Sequence, residues 1–192
     1  SDEDKFTALS AALAEDGVFL YVPPNIHVDQ PLHSLYWGGG ERAAFINHLV
    51  IWVDEGAEVT FVHESASPSQ QEDQQLFHSG IVEILVSKNA RLNFVELQSW
   101  GKNVWSFTRE RAKVQGDGSI EWIFGAIGTH LTKNFSDIDL EEPGAMGRMS
   151  GFYFTSGQQH LDHDTQQNHL AKDTTSDLLY KGALMDDSRS VW

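Results

Sequence analysis

The rhythm of hydrophobic and polar positions changes once, near residue 17. Before it, Phe6, Leu9 and Leu13 recur at spacings of three and four, the period of one helical face. Asp and Glu crowd the opening turn, and Gly17 stands where a helix stop belongs. These positions predict one short helix over residues 2–16. A helix of that length is marginal alone and must dock its apolar stripe on something else.

After Gly17 the period falls to two. An apolar run over 18–22 halts at Pro23-Pro24-Asn25, and Ile26-His27-Val28 follows. Strands are predicted at 45–53, 59–62, 81–86, 92–97, 120–127, 149–155 and 178–184, with Gly, Asn, Asp and Ser between them. A weak repeat runs through them: EGAEVTFV (55–62), KNARLNFV (88–95), GDGSIEWI (116–123) and EPGAMGRM (142–149). Each has a Gly or Asn turn, a small residue, then alternation. Val59/Phe61, Leu92/Phe94 and Ile120/Trp122 thereby share one face. The period wanders between about 26 and 33 residues, which suits stacked β coils joined by loops of unequal length. A β-sandwich or jelly roll is the alternative fold for the same strands. The expected division is a helix over 1–16 and a β core over 17–192. Residues 65–75, SASPSQQEDQQ, read as an exposed loop, and Gly38-Gly39-Gly40 as a hairpin turn, since no Lys-Ser/Thr or helix follows it.

Composition narrows the function. With 28 acidic and 13 basic residues the formal charge is −15, and no Lys/Arg cluster reverses it locally, so nucleic-acid binding is not expected. No apolar run approaches the roughly 20 residues that span a bilayer. There is no cysteine, hence no disulfide or thiolate zinc site; this suits a reducing cytosol, and a cytoplasmic location is expected. The opening SDEDK, without Met, fits a processed or excised chain.

Candidate chemistry concentrates in HLDHDTQQNH (160–169). His160 and His163 would share a face on a helix, but the segment reads as extended, where they point to opposite faces. His163 and His169 share a strand face yet stand about 20 Å apart. His160, His163 and His169 are therefore the metal-ligand candidates only if neighbouring coils or another chain complete the set; otherwise they are partly exposed structural histidines. No H-x-H supports a cupin-like metal site. Asp162/Asp164 and Asp137/Asp139 are same-face carboxylate pairs that could run glycosidic chemistry on a β-helix, or simply be solvated. No G-x-S-x-G is present. Trp122 reads as core, whereas Trp100 and Trp105 are packing residues or interface anchors.

An ordered set of segments carries a family resemblance. The segments are GVFLYVPP from Gly17, LFHSGIVEI from Leu76, KNARL from Lys88 and VELQSW from Val95. The most specific are Asp162-His-Asp-Thr165, His169, Thr175-Ser-Asp177 and Tyr180-Lys-Gly-Ala-Leu. The chain resembles the SufB/SufD family, scaffold subunits of the SUF iron–sulfur cluster assembly system, from Gly17 onward. The resemblance implies an all-β fold, a right-handed parallel β-helix (β-solenoid) with a short N-terminal helix. It implies a non-catalytic subunit that binds no cofactor of its own. That subunit works with a SufB-type scaffold and the ATPase SufC, and the iron–sulfur cluster belongs to the assembled complex. A homodimer through the β-helix edges is a further expectation. Where B-type members carry a cysteine this chain has Ser65, which favours a SufD-like subunit. The family continues beyond the position of Trp192, so this chain resembles a core truncated at its C-terminus, without the helical SufC-binding region.

Overall fold

The computed structural model describes residues 5–39, 44–68 and 74–192. Residues 2–4 of the expected helix, Gly40 of the glycine run and residues 69–73 of the expected loop lie outside the described residues. Helix α1 (Lys5–Leu13) precedes the strands. These are β1 (Asp16–Val22), β2 (Leu32–Trp37), β3 (Ala44–Val53), β4 (Glu58–Ala66), β5 (Leu76–Val86), β6 (Arg91–Ser99) and β7 (Val104–Val114). Then come β8 (Ser119–Ile127), β9 (Leu131–Leu140), β10 (Met146–Thr155), β11 (His160–His169), β12 (Thr175–Leu184) and β13 (Arg189–Val191).

Successive strands alternate between two sheets. One has the order β1-β3-β5-β7-β9-β11-β13, the other β12-β10-β8-β6-β4-β2. Each strand pairs in parallel with the strand two positions on, as in Val53↔Val86↔Val114. The chain therefore winds as a parallel β-solenoid of about six turns. The sheets face each other as in a sandwich, but a sandwich pairs antiparallel neighbours, and every ladder among the described residues is parallel.

The repeat legible in the sequence is a stack of turns. Asn25, Gly56, Asn89, Asp117, Gly144 and Asp173 all adopt left-handed backbone, with φ between 54° and 79°. Asn, Asp and Gly are the residues that tolerate this region. Each turn donates a backbone N–H to the next: Gly56 to the Lys88 carbonyl at 2.9 Å, Asn89 to Gly116 at 3.0 Å, Asp117 to Pro143 at 3.2 Å. The small residue that follows, Ala57, Ala90 or Ala145, is fully buried under the turn. The fourth repeat is displaced by one residue from its sequence alignment. Ile120 and Trp122 pair with Gly147 and Met149, not with Met146 and Arg148. In a period-two element a single slip swaps the faces, so Met149 is 0% exposed and Met146 52%.

Helix α1 ends at Leu13, three residues before the expected limit, and docks on a different stripe. Phe6 stacks on Phe107 at 4.0 Å, and Ser10 Oγ lies 2.7 Å from Ser79 Oγ, while Leu13 is exposed. Gly17 lies inside β1 rather than at the helix stop, and the position takes glycine because a Cβ there would collide with the His48 carbonyl of the next coil. Gly38 and Gly39 sit at a corner between sheets, not in a hairpin, since β2 pairs with β4 and β3 with β5.

Candidate functional site

The solenoid interior has two chemically distinct halves. Toward the left-handed turns, rows run apolar: Val22–Val53–Val86–Val114–Leu140 in one sheet and Phe61–Phe94–Trp122–Met149 in the other. Phe61 and Phe94 stack with centroids 6.1 Å apart, and Phe94 meets Trp122 at 5.4 Å. Away from the turns, two to eight residues from these rows along each strand, the inward positions become polar. Asn47, His78, Ser106, Glu110 and Asn134 come from the first sheet, Ser34, His63, Glu96 and Gln98 from the second. Apart from Ser34, these side chains are buried.

Two carboxyls lie at the centre of this seam. Glu110 is 0% exposed and Glu96 8%, and their side chains hydrogen-bond to each other. Asn134 Nδ2 donates to Glu110 Oε1 at 2.8 Å and Ser136 Oγ to Glu110 Oε2 at 2.7 Å. Trp122 Nε1 donates to Glu96 Oε2 at 3.1 Å. Burial, and after it the charge of Glu110, pushes the Glu96 carboxyl well above the usual range. Burial also raises Glu110, but its donors oppose the shift. Both carboxyls are thus raised by burial, Glu96 the more strongly, and the hydrogen bond between them holds a proton in the seam. Burial and these two carboxyls push Tyr180 upward as well.

The histidines of the seam are neutral. Burial lowers His78 to about 3 and His63 to about 4, helped in each case by a neighbouring histidine. Asn47 Oδ1 can only accept at 3.1 Å from His78 Nε2, so the proton sits on Nε2. His78 Nδ1 then accepts from Ser106 at 2.9 Å. His63 Nδ1 lies 2.7 Å from Ser34 Oγ, and its Nε2 lies 3.4 Å from Ser65 Oγ. Ser65 thus faces the interior, beside an uncharged imidazole.

The three candidate histidines are not brought together. His160 pairs with Leu131 on the outward side of β11 and is half-buried. His163 points inward at 3% exposure, among Phe124, Tyr153 and Trp192, and neither ring nitrogen has a hydrogen-bond partner. Burial lowers it to about 4. It is a buried residue rather than the partly exposed one the sequence suggested. His169 is exposed and bonds Thr174 at 2.7 Å and Ser176 at 2.9 Å. Among the described residues no group of three or more His, Asp or Glu is placed to hold a metal ion. The solenoid also removes the barrel that a cupin-like site requires.

The carboxylate pairs face outward, and Asp162, Asp137 and Asp139 are engaged in ion pairs. Asp162 takes Lys133 Nζ at 2.8 Å, while Asp164 is exposed. Asp137 meets Arg109 at 2.6 Å and Arg111 at 3.4 Å; burial raises its carboxyl, and Arg109 only partly offsets this. Asn168 donates to Asp139 at 2.7 Å. Trp100, 2% exposed, packs on Phe45 and His78 and is core; Trp105 is half-buried against His130. Glu96 and Glu110 were missed by the sequence reading. The only signal for Glu96 was the phase reversal in Phe94-Val95-Glu96-Leu97-Gln98, where polar residues take over the inward beat, and Glu110 gave none.

A stacked parallel coil of this kind, with a polar strip sealed inside and ion pairs outside, is a parallel β-solenoid. Residues 36–192 match the family described as SUF system FeS cluster assembly, SufBD core domain, and residues 1–33 match the SufBD protein N-terminal region. An iron-sulfur cluster assembly SufBD family protein of Staphylococcus saprophyticus is 31% identical over 190 residues, 99% of this chain and 40% of that protein. SufBD family proteins of Staphylococcus epidermidis and Staphylococcus haemolyticus are 30% identical over the same extents. The chain belongs to the SufBD family of iron–sulfur cluster assembly proteins. It spans about 40% of the length of the curated relatives it matches.

Proposed function

We propose that this chain is the β-solenoid core of a SufD-like scaffold subunit. It acts without catalysis of its own in iron–sulfur cluster assembly, in the cytoplasm, together with a SufB-type scaffold and a SufC-type ATPase. The observation that carries this reading is the continuous family match combined with the absence of any cysteine among the 192 residues. At Ser65, where B-type members carry a thiol, a hydroxyl faces neutral His63. A hydroxyl there cannot take up sulfur as a thiolate would. The cluster is cargo of the assembled complex rather than a resident cofactor of this core. No helix among the described residues is long and apolar enough to cross a membrane.

The test is co-expression of the tagged protein with SufB-type and SufC-type proteins, followed by iron and acid-labile sulfide analysis of what co-purifies. A ternary complex is expected, with iron and sulfide that depend on the SufB-type cysteines. Failure to associate would contradict the scaffold role. Cluster retained after those cysteines are removed would contradict the SufD-like assignment.

A further inference from the structure

The corners that return the chain from the six-stranded sheet to the seven-stranded one differ in length. Residues 100–103 and 156–159 make four-residue corners, whereas 128–130, on the coil between them, makes one of three. The short corner is held in an unfavourable backbone. Gly128 has φ 97°, and a Cβ there would collide with the Trp100 carbonyl. Thr129 has φ 59°, a region that β-branched residues rarely enter. It is fully buried. Its Oγ1 donates to the Gly128 carbonyl at 2.7 Å, and Gln159 Nε2 donates to the Thr129 carbonyl at 2.8 Å. Strain of this kind gathers at functional sites. At this corner lies a cleft of about 430 Å³, within the roughly 300–1,000 Å³ of small-molecule sites. Lys102 reaches past the short corner, its Nζ donating at 2.9 Å to Ser156 Oγ two coils on.

Three residues lining this cleft lack the partner their chemistry calls for. Lys113 and Lys133 meet Glu141 and Asp162, but Lys102 forms no ion pair among the described residues, on a chain of charge −15. Trp105 Nε1 is a buried donor without an acceptor, and its ring lies 4.9 Å from that of His130. Asn103 is 4% exposed; its Nδ2 donates to the Gln74 carbonyl, while its buried Oδ1 accepts nothing. Buried polar groups left in this state are costly and rare.

We propose that the cleft binds a small carboxylate with a hydrogen-bond donor on the adjacent carbon, the pattern of α-hydroxy and α-amino acids. The carboxylate takes the Lys102 ammonium and the Trp105 indole N–H. The hydroxyl or ammonium of the ligand donates to Asn103 Oδ1, and the Trp105 and His130 rings flank its carbon skeleton. The indole N–H and the amide oxygen are closed to solvent, so side chains at the mouth, such as exposed Gln158, move aside as the ligand enters. Repulsion by the acidic surface is screened beyond about 8 Å at physiological salt, which leaves Lys102 as the charge that an incoming anion meets. The site is separate from the scaffold role and needs no partner protein.

Proton–nitrogen correlation NMR reads the site through the Trp105 indole N–H, assigned by its loss in Trp105→Phe. L-malate supplies the hydroxyl, L-aspartate the ammonium, succinate neither, and sulfate acceptors only. Malate or aspartate, titrated to about 20 mM at constant ionic strength, should move that resonance with saturation, and the one that does so identifies the donor. Lys102→Gln, at an exposed position, should weaken this binding about tenfold or more without disturbing the rest of the spectrum. Succinate and sulfate should bind at least about tenfold more weakly. A resonance unmoved by both malate and aspartate would overturn the proposal. So would binding that survives Lys102→Gln, or that succinate or sulfate matches, since an adventitious ion only would behave in that way.

Discussion

Glu96→Gln isolates the proton assigned to the interior seam. The amide keeps the size of the carboxyl and can still donate to Glu110 and accept from Trp122 Nε1. Only the titration is removed. The folded pKa of Glu96 is raised, so above the unfolded value of about 4.3 the folded chain holds a proton that the unfolded chain has released. The stability this group contributes is full below that pH and declines as pH rises toward the folded value, at about 1.4 kcal/mol per unit. The glutamine shows no such decline. The variant therefore gains on the wild type as pH rises through that window, at about 1.4 kcal/mol per unit. Glu110, whose carboxyl burial also raises, titrates in both proteins, as do Tyr180, His63 and His78, so the difference between the two curves reports the proton lost with the Glu96 carboxyl. Urea unfolding monitored by tryptophan fluorescence from about pH 5 to 8 gives the two curves. Parallel curves, or a variant less stable at every pH, would refute the placement of a shared proton on Glu96.

The register predicts opposite outcomes for two nearby methionines. Met149→Asp should prevent folding, because it buries an unpaired charge in the apolar rows; Met146→Asp should change the urea midpoint by no more than about 0.5 kcal/mol equivalent. Acid stability should be governed by His63, His78 and His163, whose lowered folded pKa values of about 4, 3 and 4 mean that they charge mainly on unfolding. Their contribution is full above about pH 6.5 and is lost as pH falls, by about 1.4 kcal/mol per unit for each. His163→Leu should remove one such increment from the acid limb and raise stability, since two unpartnered ring nitrogens leave the interior; an unchanged slope in urea titrations would contradict burial of a neutral His163. Phe94→Ala should cost about 3–5 kcal/mol by opening the Phe61–Phe94–Trp122 stack, as read from the same unfolding curves.

The left-handed turns were the legible part of the fold. Asn89, Asp117 and Gly144 mark their own positions chemically, and the small residue after each marks the direction of the chain. The strand β7 was not legible, because Arg109-Glu110-Arg111-Ala112-Lys113 is charged on both beats. An outward arginine and a fully buried glutamate look alike until the neighbouring coil supplies Asn134 and Ser136. The seam is likewise a product of stacking. Ser34 and His63 are 29 positions apart in sequence, and only the register makes them neighbours. The density of His160, His163 and His169 drew the sequence reading toward one short segment, yet alternation sends His160 outward and His163 inward, and His169 remains exposed. In a solenoid, proximity along the chain is a poor guide to proximity in space, whereas offset by one turn is a good one.

The in-register parallel stack is what every other inference rests on, and a cysteine-free chain allows it to be tested by cross-linking. Thr60 and Asn93 are outward register partners on β4 and β6, with Asn93 Nδ2 3.3 Å from Thr60 Oγ1. Adjacent strands put such a pair about 4.8 Å apart, within disulfide reach, whereas Thr60 and Arg91 lie diagonally at about 8 Å, beyond it. Oxidation of the Thr60→Cys/Asn93→Cys variant should close a disulfide within one chain, seen by peptide mass mapping, and Thr60→Cys/Arg91→Cys should not. Cross-linking of the second pair and not the first would show a different register, and with it the rows and the buried seam would both be wrong.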